Sequence, residues 1–206
     1  MTGSIPDSLA VFAAQLQELF LQSNYFTGPM PQALPAWTNL WFLDLSNNAL
    51  TGALPSKQLS KMKYMEYLML GDNLFSGMIP DDIVQLTELR ILDFGSNLFA
   101  GTLPKSLNQL SKIWDLNFAH NVLSGTFPEE LFELTEVQSL LLSRNKLTGT
   151  LPVAAANTNS AVSKHSSSNV KWSNMKQLGC LLMNHNDLTG TVPAELYLGL
   201  KSSLGQ

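Results

Sequence analysis

"LRILDFGSNLFAGTLP", residues 89–104, sets Leu89, Leu92, Phe94, Phe99 and Leu103 around a single asparagine, Asn97. Apolar residues stand eight, five and three places before Asn97, and two and six places after it. Gly101 and Pro104 follow at four and seven places. The same frame fits Asn24, Asn48, Asn73, Asn121, Asn145 and Asn186. Around Asn48, for example, it selects Leu40, Leu43, Leu45, Leu50, Gly52, Leu54 and Pro55. Successive anchors lie 24 or 25 residues apart, except for a final step of 41. One unit is therefore repeated about seven times. "TGSIP" before it and "VPAELYLGLKSSLGQ" after it are partial units, which reads as a piece of a longer solenoid.

Each position of the frame has a physical reading. Apolar residues at five and three places before the anchor predict a short strand with one face buried. One such strand cannot bury that face alone, so the units must stack into a parallel sheet. The anchor amide, with two donors and an acceptor, is expected to satisfy turn backbone in its own coil and the next. The glycine suggests a left-handed backbone or a close approach, and the proline ends a second short extended segment. Apolar residues then recur every third place, as at Ile83, Leu86 and Leu89 or Leu107, Leu110 and Ile113. With acids directly after the proline in "IPDD", "FPEE" and "IPDS", this predicts short helical turns that start on negative charge.

The frame also disposes of several catalytic readings. Asp93-Phe94-Gly95 spells the magnesium-binding tripeptide of a protein kinase, but Phe94 occupies the core position held elsewhere by Leu21, Leu45 and Leu70. The glycine-rich loop, strand lysine and catalytic loop that kinases also need are missing from the sequence. The acid pairs Asp81/Asp82 and Glu129/Glu130 sit at a repeating helix start rather than in a constellation. His120 and His185 fall at the rim two coils apart with Arg144 between, which does not suit a metal cation. The lone Cys180 lies on the exposed strand face. No metal, cofactor or catalytic group is expected.

Composition agrees with a binding module. Of 206 residues, 45% are hydrophobic and 14% charged, a globular balance, and the net charge of −4 argues against nucleic acid as a partner. One cysteine excludes an internal disulfide, and no apolar run reaches the length of a membrane span. The unit is disturbed at "VAAANTNSAVSKHSSSN", residues 153–169, where 17 extra residues rich in Ala, Ser and Asn predict a loop on the convex side or flank. "WSNMKQL" then restores the frame with Trp172, Met175 and Leu178. The whole of 1–206 reads as a single solenoid domain.

The spacing L-x-x-L-x-L-x-x-N-x-L with an appended x-G-x-[I/L]-P, as in "LTGALP", "FSGMIP" and "LTGTLP", resembles the plant-type subclass of the leucine-rich-repeat family. That family includes ectodomains of receptor-like kinases, receptor-like proteins and polygalacturonase-inhibiting proteins. The resemblance implies an α/β horseshoe or superhelix, with a parallel sheet on the concave side and short helical or 3-10 segments on the convex side. It also implies a noncatalytic protein- or peptide-binding role at the cell surface or outside the cell. A secreted hydrolase inhibitor is an alternative. So is an intracellular scaffold, which would fit the lone cysteine and the absence of an Asn-x-Ser/Thr acceptor.

Positions six, four and two before each anchor should face outward and stand side by side. On coils one to five they carry Phe20, Phe42, Tyr67, Met69 and Ile91, with Glu18, Asp44, Asp93 and Asp115, and Asp72 beside them. No Lys or Arg shares those strand faces. Coils six and seven differ, offering Ser139, Leu141, Arg144, Lys146, Leu182 and His185. The expected ligand face is therefore Phe20, Phe42, Asp44, Tyr67, Met69, Ile91, Asp93 and Asp115, and the expected ligand a peptide or protein with apolar and basic side chains. Asn24, Asn48, Asn73, Asn97, Asn121, Asn145 and Asn186 are expected to be structural.

Overall fold

A computed structural model describes residues 1–152 and 172–193, and the inner repeats all run through the same three segments. The first is a three-residue strand whose middle residue is the leucine five before the anchor: Glu18–Phe20, Phe42–Asp44, Tyr67–Met69, Ile91–Asp93, Asp115–Asn117, Ser139–Leu141 and Cys180–Leu182. These pair in parallel and in chain order into one seven-stranded sheet. The leucines stand in register, Leu68 between Leu43 and Leu92, and all are fully buried in the inner coils. Their neighbours on the strand face outward, as a period of two requires.

The second segment goes beyond the sequence reading. Where the frame promised only an extended stretch, the residues after each anchor form an eight-stranded parallel sheet that begins at Thr2–Gly3 and ends at Asp187–Thr189. Alternation had hidden it, because one apolar residue per strand enters the core, two after the anchor. The glycine four after the anchor turns left-handed in every coil, with φ of 81° at Gly28 and 79° at Gly101.

The third segment is a 3-10 turn, as at Asp81–Gln85, Lys105–Gln109 and Glu129–Glu133, or a short α-helix at Ser56–Leu59. Pro80, Pro104 and Pro128 stand extended just before these turns, and acids fill the first turn at Asp81, Asp82, Glu129 and Glu130, as expected. The residues at three-place spacing are buried in the inner coils and only partly so at the ends, as at Leu16 and Leu178, and one core runs from Ile5 to Met175. Phenylalanines line its middle: Phe75, Phe99, Phe94 and Phe118 follow one another at centroid distances of 6.4, 5.1 and 5.9 Å.

The asparagines tie the coils together, with one correction. Asn97 donates its amide to Phe94 O and Gly95 O in its own coil and to Leu70 O in the preceding one, and it accepts from Phe75 N, again in the preceding coil. The second coil is thus the one before, not the one after: the backbone N–H groups of the same turn, at Phe94, Ser96 and Asn97, already donate to Asn117 O, Ala119 O and His120 O of the following coil. Asn48, Asn73, Asn121 and Asn145 repeat the pattern. The end anchors Asn24 and Asn186 are half-buried. The residue before each anchor pays for this turn in backbone strain: Ser23, Asn47, Asp72, Ser96, His120, Arg144 and His185 all lie at φ between 51° and 56°.

The long last step leaves the ladder intact. Ser139–Leu141 pairs directly with Cys180–Leu182, and Asn186 accepts from Leu147 N and donates to Leu142 O across it. Trp172 Nε1 donates to Pro152 O at 2.9 Å, so the chain re-enters the stack beside the point where it left. The 153–169 insert, His165 and the tail after Pro193 lie outside the described residues.

Candidate ligand-binding face

The strands six to four before each anchor are too short to do more than present two outward side chains each. At a strand spacing of about 4.8 Å, seven of them make a surface on the order of 30 Å long. The structure sorts the expected residues on it into two groups with different work.

The first group is aromatic. Phe20 and Phe42 lie 4.7 Å apart, and Phe42 stacks on Tyr67 at 5.4 Å with ring planes 28° apart. The three rings come from successive strands, Phe42 in register with Tyr67 and Phe20 diagonal to Phe42. Phe20 remains 51% exposed, whereas Phe42, Tyr67, Met69 and Ile91 are half-buried. One member escaped the sequence reading. Trp41, seven before its anchor, meets both Phe42 and Tyr67 edge-on at 5.8 Å. That position is Gln17, Glu66, Arg90, Gln138 or Gly179 in other coils and tryptophan again at Trp114, and the frame had assigned it no face.

The second group is acidic and partly structural. Asp93 accepts the Gly95 N–H at 2.9 Å and the Asn117 amide at 2.8 Å, and Asn117 in turn accepts the Ala119 N–H. These side chains cap the strand exit four residues before the anchor, forming a second polar ladder beside the asparagine ladder. Room for it comes from small residues underneath. A Cβ on Gly71 would stand 2.9 Å from Asp93 Oδ2, and one on Gly95 only 2.6 Å from Asn117 Nδ2. Asp44 corrects the sequence reading: it is 7% exposed, its carboxylate held by the N–H and hydroxyl of Ser46, and it is not part of an open surface. The frame gave no sign of this, because Asp44 and Asp93 hold the same position in it, four before the anchor.

The carboxyls of Asp93 and Asp115 are both raised above the ordinary carboxylate range. Burial pushes the Asp93 carboxyl up; the Gly95 N–H opposes this, and the charges of Asp115 and Asp72 add to it. Asp115 is likewise raised by burial and eased by a hydrogen bond with Ser139. Charge crowded into a half-buried strip favours an approaching cation. His120, Arg144 and His185 stand exposed along the rim at the left-handed positions, and Cys180 is a free, exposed thiol.

The repeat family described as Leucine Rich Repeat matches residues 15–37 and 39–57. A rice protein named leucine-rich repeat receptor protein kinase MSP1 is 33% identical over 96 residues, covering 45% of this chain and 7% of that protein. The ectodomain of the Arabidopsis thaliana receptor kinase GASSHO1/SCHENGEN3, solved with CASPARIAN STRIP INTEGRITY FACTOR 2, superposes with a TM-score of 0.83 at 32% identity. That likeness covers 95% of this chain and 21% of the ectodomain. The Arabidopsis receptor kinase HAESA, solved with the peptide hormone IDA and the co-receptor SERK1, gives a TM-score of 0.82 at 28% identity, over 97% of this chain and 30% of that one. The chain thus spans under a third of each of these proteins.

Proposed function

We propose that this chain, a leucine-rich-repeat solenoid of the plant type, is the noncatalytic recognition part of a cell-surface or secreted protein. In this reading it holds an extended peptide or protein segment across the outward face of the seven-stranded sheet. One observation carries it: an aromatic stack on coils one to three leads directly into a half-buried acidic strip on coils four and five. Apolar rings that the core does not need are typical interface anchors, and truncating one often costs about 2 kcal/mol of binding. A ligand with apolar side chains followed by a basic group matches that order. The resemblance to ectodomains solved with peptide ligands supports the class of ligand and the extracellular setting.

The test is a peptide-display selection on the immobilised chain, followed by titration of the enriched peptide. Tyr67→Ala should weaken binding at least about tenfold. Asp115→Asn should slow association and flatten its salt dependence, since exposed and half-exposed charges act mainly by steering. Lys105→Ala, on the helical side, should change nothing. Normal binding to Tyr67→Ala together with weakened binding to Lys105→Ala would overturn the choice of face.

A further inference from the structure

The two tryptophans that stand seven places before an anchor, Trp41 and Trp114, meet different neighbours. Trp41 leans on Phe42 and Tyr67, the paired first residues of its own strand and the next. In the corresponding places Trp114 has Asp115 and Ser139, so no ring is there to cover it. Trp114 is half-buried and lines a cavity of about 430 Å³ with Arg90, Ser111, Lys112, Glu136 and Gln138. That volume falls in the range of about 300–1,000 Å³ typical of small-ligand sites. Three adjacent coils build the cavity. Trp114 N–H donates to Arg90 O at 2.9 Å and Gln138 N–H to Trp114 O at 2.8 Å, so these three residues occupy successive rungs.

The chemistry of the lining decides what could enter. Arg90 gives its Nε–H to Glu66 at 2.9 Å, which leaves both Nη groups uncommitted, and Lys112 gives one of its three protons to Glu88 at 2.6 Å. Each cation is thus already matched by an acid of the preceding coil. Trp114 Nε1, the Glu136 carboxylate and the Gln138 amide make no hydrogen bond to another side chain or to backbone among the described residues. An entering carboxylate or phosphate would compete with Glu66 and Glu88 and would face Glu136. An ammonium would face Arg90 and Lys112. Neither sign of charge is favoured, and what remains is an indole surrounded by free donors and acceptors. A pyranose sugar has the complementary make-up. Its axial C–H bonds form an apolar face suited to an aromatic ring, and each hydroxyl at its edge both donates and accepts.

We propose that the Trp114 cavity binds a neutral pyranose saccharide, seated against the indole, with the Arg90 Nη groups, Glu136 and Gln138 taking its hydroxyls. The aromatic stack on coils one to three and the carboxylates of Asp93 and Asp115 are not among the residues lining the cavity, so this site and the peptide-binding reading stand or fall separately.

Nuclear magnetic resonance of the ¹⁵N-labelled 206-residue chain, titrated with cellotetraose, xylotetraose and mannotetraose up to about 10 mM, decides the matter. The chain has four tryptophans and so four indole N–H signals, and the one lost in Trp114→Phe belongs to Trp114. At least one of these neutral saccharides should move that signal to saturation. Its dissociation constant, read from backbone signals, should rise at least about tenfold in Trp114→Ala, which removes the ring. In Gln138→Ala it should rise about three- to tenfold, for one lost hydrogen-bonding group. The Gln138 side chain is exposed, so that variant tests the site without disturbing the core. Lys105→Ala, on the helical side, should leave the constant unchanged. A Trp114 signal that none of the three saccharides moves overturns the proposal, as does an affinity that survives Trp114→Ala or Gln138→Ala. Tighter binding of tetragalacturonate than of every neutral saccharide also overturns it, by marking the cavity as an anion site.

Discussion

Replacing Asn97 by alanine removes four hydrogen bonds, but the structure shows that only one of the groups left behind is stranded. Leu70 O keeps a bond from Asn73, Phe94 O keeps one from Asn121, and Gly95 O keeps the N–H of Asp72. The Phe75 N–H has Asn97 Oδ1 as its acceptor and sits in the buried interior. One orphaned buried donor costs about 1–3 kcal/mol, and the weakened carbonyls add at most roughly 1 more. The expected loss is therefore about 2–3 kcal/mol, a large share of the stability of a domain this size. Asn24→Ala supplies the internal control. That side chain accepts from the exposed amine of Met1, which water can solvate, so the loss should stay below about 1 kcal/mol. Asn97→Asp should be worse than alanine at neutral pH. It restores an acceptor for Phe75 N–H but aims a buried carboxylate at three carbonyl oxygens, and acidification should recover part of the loss as the acid protonates. Urea unfolding followed by circular dichroism measures all three. Equal costs for Asn97→Ala and Asn24→Ala would refute the ladder as the source of stability.

Two further outcomes follow from the polar strip on the ligand face. The Asp93 carboxyl is raised in the folded state, so its favourable contribution is complete below the unfolded pKa and is lost as pH rises through the folded one. Asp93→Asn keeps an acceptor for Gly95 N–H without the buried charge, and Asn117 shows that an amide fits this position; melting curves should find the variant more stable than wild type at neutral pH, with the gap closing on acidification. Gly95→Ala would place a methyl 2.6 Å from Asn117 Nδ2, costing about 1–3 kcal/mol in a denaturation series, and adding Asn117→Ala should recover part of it.

Much of this molecule was legible because repetition averages out local ambiguity. A lone Leu-x-Leu is a weak strand signal, but seven of them at fixed distance from an asparagine leave one solution: parallel stacking with that asparagine at the turn. The buried leucines from Leu43 to Leu140, the first-turn acids Asp81 and Glu129, and the left-handed Gly101 all follow from spacing, because each depends on its own coil. Whatever depends on two coils at once needed the coordinates. Asn97 reaches the coil behind it rather than the one ahead, to which the N–H groups of its turn already donate, and no spacing records that direction. Asp44 and Asp93 look alike in the frame, yet Asp44 is buried while Asp93 is met above Gly71 by Asn117 of the following coil. Trp41 joins the rings of Phe42 and Tyr67 only because neighbouring strands stand side by side. The sequence determined what repeats, since each unit must bury the same leucines; tertiary stacking decided which outward side chains meet, since those contacts run between units that the chain separates by 24 or 25 residues.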